Sequence, residues 1–109
     1  GDWSSSSRFV KAVFVRAHSV CDDSEAQSVG QFFHALGSVE HIRGCVSLQG
    51  DKYEITRYSS CCNTDRGIYY YTTYGNRRIN AVDMHKENLD ADSLIQYPMD
   101  DNQDICFVN

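Results

Sequence analysis

KYEITRYSSCCNTDRGIYYYTTYGNRRINAVDM, residues Lys52 to Met84, carries the densest β signal of the chain. Three of its runs are rich in β-branched and aromatic side chains, which suit a pleated, half-buried surface. In the first, Tyr53, Ile55 and Arg57 alternate with Glu54, Thr56 and Tyr58. In the second, Ile68, Tyr70, Thr72 and Tyr74 share one face and Tyr69, Tyr71 and Thr73 the other. The third, Arg78 to Met84, sets Ile79 and Ala81 opposite Asn80 and Val82. Asn63 to Gly67 and Tyr74 to Arg77 separate the runs with turn chemistry. The pattern predicts an antiparallel three-stranded meander.

Upstream, the periodicity changes from 2 to 3.6. Val10, Phe14, Ala17 and Cys21 form a helical stripe with Phe9 and Val13 beside it, and serines stand ahead of it as N-caps. A helix from about Ser6 to His18 follows. Asp22, with Glu25 three positions on, matches a capping box and opens a second helix whose buried side is Val29, Phe32, Phe33, Leu36 and Val39. Gly44 is its expected stop, although Gly37 interrupts the pattern. A short link makes the two helices an antiparallel pair over one face of the sheet. Cys45 to Leu48 reads as a strand turned into the meander by Gln49-Gly50-Asp51. Leu94 to Tyr97 reads as an edge strand, and Ile105 to Val108 as a further strand or a segment tucked against the core. Helices first and strands afterwards give an α+β architecture.

The chain has 109 residues, 41% hydrophobic and 23% charged, and suits one small domain or a piece of a larger one. Its net charge of −5 argues against nucleic acid as a partner. No run is apolar for the roughly 18 residues that a membrane span requires. The five cysteines (Cys21, Cys45, Cys61, Cys62 and Cys106) are odd in number and two are adjacent, which reads as free thiols in a reducing cytoplasm. Tyrosines supply apolar surface to both faces of the meander, so the face away from the helices expects covering structure, unless the rings lie sideways with wet hydroxyls.

Among chemically capable residues, Arg8 stands out. A cation in the first turn of a helix meets the positive end of the macrodipole, at a cost of a few tenths of a kcal/mol. A locally unfavourable residue at a helix start points toward an anion to be bound, such as a thiolate or carboxylate. The competing reading is a solvated surface arginine. His34, His41 and Cys45 lack a fourth ligand at a zinc-site interval. Cys61-Cys62 is no C-x-x-C pair. Asp100, Asp101 and Asp104 lack the glycine and later glutamate of a calcium loop.

The residues themselves resemble a known family. GDWSSSSRFV (1–10), QFFHALGSVE (31–40), YSSCCN (58–63) with GIYYY (67–71), NAVDMH (80–85) and the closing FVN (107–109) are similar, in order, to stretches of the choloylglycine hydrolases, the bile salt hydrolase family. The resemblance covers the C-terminal third or so of an intact member. It implies part of an αββα sandwich of the N-terminal-nucleophile hydrolases, and an enzyme that splits glycine- or taurine-conjugated bile acids at the amide without a cofactor. The implied nucleophile is a cysteine at the first residue of the mature chain, with its own α-amino group as base. Residue 1 here is Gly1, so this chain alone is expected to be inactive and to need the remaining N-terminal part of the enzyme. By the same resemblance Arg8 matches the arginine beside the nucleophile, the paired cysteines become structural, and intact relatives are cytoplasmic bacterial homotetramers. A penicillin V acylase of the same fold and a non-catalytic α+β binding module stay open as alternatives.

Overall fold

Two Asp-x-Ser steps start the helices. In the computed structural model, which describes residues 1–109, the Asp2 carboxylate accepts from the Ser4 N–H at 2.9 Å, and the Ser4 hydroxyl accepts from the Ser7 N–H at 3.2 Å. Asp22 and Ser24 repeat the device, with Ser24 accepting from the Gln27 N–H at 3.2 Å. Each carboxylate thus closes an Asx turn that orients the serine cap. Helix α1 spans Ser5–His18 and α2 spans Glu25–Gly37. The expected cap at Asp22 is therefore corrected to Ser24, because the aspartate is spent on the turn before it. The stop is corrected from Gly44 to Gly37. Ser38 folds back there, its hydroxyl donating to the Ala35 carbonyl at 2.6 Å and its N–H to the His34 and Ala35 carbonyls. Gly44 instead takes φ +101° in the bend beyond.

The chain divides into two compact units, Gly1–Thr56 and Arg57–Asn109. In the first, α1 and α2 lie antiparallel. Arg8 near the start of α1 reaches Val39 just past the end of α2, and the Cys21 thiol beyond α1 lies 4.0 Å from the Ser28 hydroxyl early in α2. Strands β1 (Ser47–Leu48) and β2 (Lys52–Tyr53) pair antiparallel around a turn with Gly50 and Asp51 at positive φ. This small hairpin is the far end of an excursion that closes where His41 and Thr56 meet.

The second unit holds the meander β3-β4-β5: Tyr58–Asn63, Ile68–Thr73 and Asn80–Asp83. The meander exists as read, but its first strand is Tyr58–Asn63 and not Tyr53 to Tyr58. The turn after it settles this. Gly67, at φ +65°, returns its N–H to the Asn63 carbonyl at 2.8 Å, while the Asn63 side chain accepts from Asp65 and Arg66. That closure pairs Asn63 with Ile68 and forces Cys61 opposite Tyr70 and Tyr58 opposite Thr73. Cross-strand partners, and not the modest propensity of Ser-Ser-Cys-Cys, make this segment a strand. A 3-10 turn, Met84–Lys86, follows β5.

Neither Leu94–Tyr97 nor Ile105–Val108 forms a strand, since neither joins a ladder, and Leu94, Phe107 and Val108 stay 86%, 83% and 97% exposed. Polar bonds anchor the tail instead. The Gly75 N–H donates to the Asp101 carboxylate at 2.7 Å, the Arg77 N–H to Gln103 at 3.0 Å, and Arg78 pairs with Asp104 at 2.8 Å. A Cβ at Gly75 would sit 2.0 Å from the Asp101 carbonyl oxygen, so only glycine lets the tail cross there. Asn76 beneath it is 1% exposed and is the one fully buried side chain.

No apolar side chain is buried in either unit. The stripe expected to face a core, Val10, Phe14 and Val13, is 67%, 61% and 52% exposed, while Arg8, Ala12 and Val15 are the half-buried line of α1. On α2, Val29, Phe33 and Leu36 are half-buried and Phe32 is exposed, and Val39, just past the helix end, is half-buried too. The periodicity was a sound guide to an apolar face, but this chain contains nothing that covers it.

Candidate functional site

Arg8 lies on the wall of an open cleft of about 640 Å³ beside the start of α1, within the Gly1–Thr56 unit. Asp2, Trp3, Lys11, Phe14 and Val39 line the same cleft. The Arg8 side chain is half-buried, and its Nε donates to the Val39 carbonyl at 2.8 Å. That carbonyl follows the C-terminus of α2, where the macrodipole is negative. A cation disfavoured by its own helix is thereby matched to its neighbour's opposite end. The Nε bond fixes the guanidinium plane, and the two terminal nitrogens have no partner within the chain. A planar fork with free donors is suited to a carboxylate, an oxyanion or a thiolate.

Lys11 adds a second cation to the cleft, and Asp2 a carboxylate. The Ser4 hydroxyl, then the Ser4 N–H and the Ser7 hydroxyl, hold the Asp2 carboxyl down to about 2 from its usual 3.8. Because the folded value lies below the ordinary one, Asp2 supports the helix start fully above about 3.8 and loses that support as pH falls through about 2. Sequence reading passed over Asp2, Trp3 and Lys11. The Asp2-x-Ser4 spacing, repeated at Asp22-x-Ser24, was the available signal.

His41 is 8% exposed, its ring centroid 5.9 Å from that of the cleft residue Trp3, and its Nδ1 has no hydrogen-bond partner in this chain. His34 and Cys45, weighed with it as metal ligands, are both exposed. No three His, Cys, Asp or Glu side chains converge as a metal site. No helix is long and apolar enough to cross a membrane.

A model of the linear amide C–N hydrolases, choloylglycine hydrolase family, matches residues 1–97. The chain belongs to the choloylglycine hydrolase family. It is 52% identical over 99 residues to the bile salt hydrolase/transferase of Lactiplantibacillus plantarum, covering 91% of this chain and 31% of that protein. It is 38% identical over 109 residues to the bile salt hydrolase/transferase of Clostridium perfringens, covering 100% of this chain and 33% of that protein. The crystal structure of a mutant conjugated bile acid hydrolase from Clostridium perfringens superposes with a TM-score of 0.88, at 38% identity over 100% of this chain and 33% of that one. Penicillin V acylase from Agrobacterium tumefaciens shares the fold at a TM-score of 0.66 and 20% identity, over 79% of this chain and 27% of that one. The α+β reading thus holds, and this choloylglycine hydrolase chain spans about a third of the length of the curated relatives it matches.

The five cysteines of this family member are free thiols. Cys61 stands opposite Tyr70 and Cys62 opposite Tyr69, on opposite faces of the meander. Burial, and then the neighbouring Cys62, push the Cys61 thiol above its ordinary value, which leaves less of the thiolate that acts as a nucleophile. In the full-length protein Cys61→Ser is expected to lower stability by about 1 kcal/mol and to leave any amide hydrolysis within about twofold, with Cys62→Ser milder still. Denaturant titration beside steady-state kinetics checks this. Lost turnover in a well-folded variant would return the pair to the chemistry.

Proposed function

We propose that this chain is the C-terminal portion of a bile salt hydrolase, and that the intact enzyme cleaves the amide of glycine- or taurine-conjugated bile acids. The nucleophile is a cysteine outside these 109 residues, at the start of the mature enzyme, and attack forms a thioester with release of the amino acid. Arg8 stands beside that sulfur and stabilises the thiolate or the charge that develops on the attacked amide. The observation that carries the reading is the Arg8 guanidinium, half-buried on a cleft wall, tethered through Nε and free at its terminal nitrogens.

The partner of this chain is then the rest of its own enzyme, which lays apolar surface over the bare α1 stripe and the tyrosine faces. An open groove of about 540 Å³ on the second unit, lined by Tyr58, Tyr69, Tyr71, Val82, Met84 and Tyr97 among others, is part of the surface it would cover. The complete enzyme is a cytoplasmic homotetramer in this reading, and needs no cofactor.

The direct test uses full-length enzyme carrying this segment, assayed with glycine- and taurine-conjugated cholate and with phenoxymethylpenicillin. Amide cleavage of the bile conjugates at the higher kcat/KM is expected. Far better cleavage of the penicillin would move the protein to the acylase branch of the fold. Hydrolysis of bile conjugates by the 109-residue chain alone would overturn the placement of the nucleophile elsewhere.

A further inference from the structure

The excursion that leaves α2 and carries the β1–β2 hairpin is closed at its base by one reciprocal pair. The His41 N–H donates to the Thr56 hydroxyl at 2.8 Å, and the Thr56 N–H donates to the His41 carbonyl at 3.2 Å. His41 is the one buried residue of its unit. It stands two positions after Val39, whose carbonyl receives Arg8 Nε at 2.8 Å. On its other side the His41 ring packs at 5.9 Å against Trp3, which adjoins the Ser4 cap of the helix that bears Arg8. Two routes from His41 therefore converge on the guanidinium: one through the backbone to the Val39 carbonyl, the other through Trp3 to the start of α1.

We infer that the Thr56–His41 clamp is a positioning device for Arg8, acting through the Val39 carbonyl. The inference rests on the proposed role of Arg8. Val39 follows the last helical turn, held to α2 by the bond of its N–H to the Leu36 carbonyl at 3.1 Å and by the longer bond of the next N–H, of Glu40, to the Gly37 carbonyl at 3.4 Å. Carbonyls beyond a helix end are held only by such weak terminal bonds unless the chain after them is pinned, and Thr56 supplies a shorter bond, 2.8 Å, from 15 residues further along the sequence. A guanidinium anchored at Nε swings its terminal nitrogens with whatever holds that anchor. Displacements of about 1 Å in a positioning group cost up to about a hundredfold in rate.

The test is a double-mutant cycle in the full-length enzyme. Thr56→Val removes the acceptor for the His41 N–H at nearly constant size and is expected to lower kcat about tenfold with KM within twofold. Thr56→Ser keeps the acceptor and is expected to restore kcat to within twofold of the parent. In an Arg8→Ala background, Thr56→Val should change kcat by less than twofold, because the group it positions is gone. A tenfold loss that persists in that background overturns the inference, as does a Thr56→Ser variant as slow as Thr56→Val, or a Thr56→Val variant with parental kcat. Where Thr56→Val does not fold, Thr56→Ala carries the same comparison without a new buried methyl. An Arg8→Ala enzyme with parental kcat would instead remove the reading of Arg8, which distinguishes the two failures.

Discussion

Replacing Arg8 by alanine in the intact enzyme is expected to lower kcat by about 10²–10³-fold while the protein stays folded, the scale on which one preorganised charge donor at a reacting centre is lost. The expectation follows from two features that seldom coincide in a surface arginine. Its Nε is fixed on the Val39 carbonyl, so little rotamer freedom remains to be lost on meeting an anion, and its terminal donors face no competing partner in the chain. Arg8→Lys is expected to recover little of the loss, because a lysine ammonium has no separate nitrogen to spend on the Val39 carbonyl while presenting a planar fork to the reacting group. KM should change less than kcat if the interaction strengthens as charge develops. Stopped-flow or steady-state turnover with a circular dichroism spectrum of each variant decides the matter. Near-parental turnover would strike Arg8 from the site.

The second large effect concerns the chain by itself. In isolation the 109 residues are expected to bind a hydrophobic dye strongly, to melt without a sharp cooperative transition, and to self-associate as concentration rises. Phe9, Val10 and Phe14 on α1 and Tyr58, Tyr97 and Met99 in the second unit are between 49% and 70% exposed. Covering one large apolar side chain is worth about 1.5–3 kcal/mol, and a whole domain is stable by only about 5–15 kcal/mol. Leaving several uncovered therefore removes a margin that the remaining contacts do not replace. Near-UV circular dichroism, dye fluorescence and sedimentation measure these properties together. A monomeric, sharply melting, dye-silent chain would show that the exposed faces need no partner.

The features that could be read in advance are those set by neighbours in the sequence. The 3.6-residue stripes placed both helices, and the Asn63–Gly67 and Tyr74–Arg77 turns placed the meander, since helix periodicity and turn chemistry act over a few residues. The α+β order and the family likeness of GDWSSSSRFV and YSSCCN were legible in the same way, and Arg8 drew notice because it breaks a local helix rule. Strand β3 was misplaced because Tyr58–Asn63 becomes a strand only through partners in Ile68–Thr73. The tail runs misled for the complementary reason: an apolar segment is a strand only where a free edge meets it, and Asp101, Gln103 and Asp104 tie this tail elsewhere.

The residues themselves dictate where this chain coils, turns and offers apolar faces, because those preferences are properties of short segments. They do not dictate that Arg8 finds the Val39 carbonyl 31 residues away, or that Thr56 pins His41 across 15. Such contacts depend on how whole elements come to rest against one another, and hydrogen bonds between distant residues leave no periodic trace in the sequence. Tertiary structure alone turned an unfavourably placed cation into an oriented one.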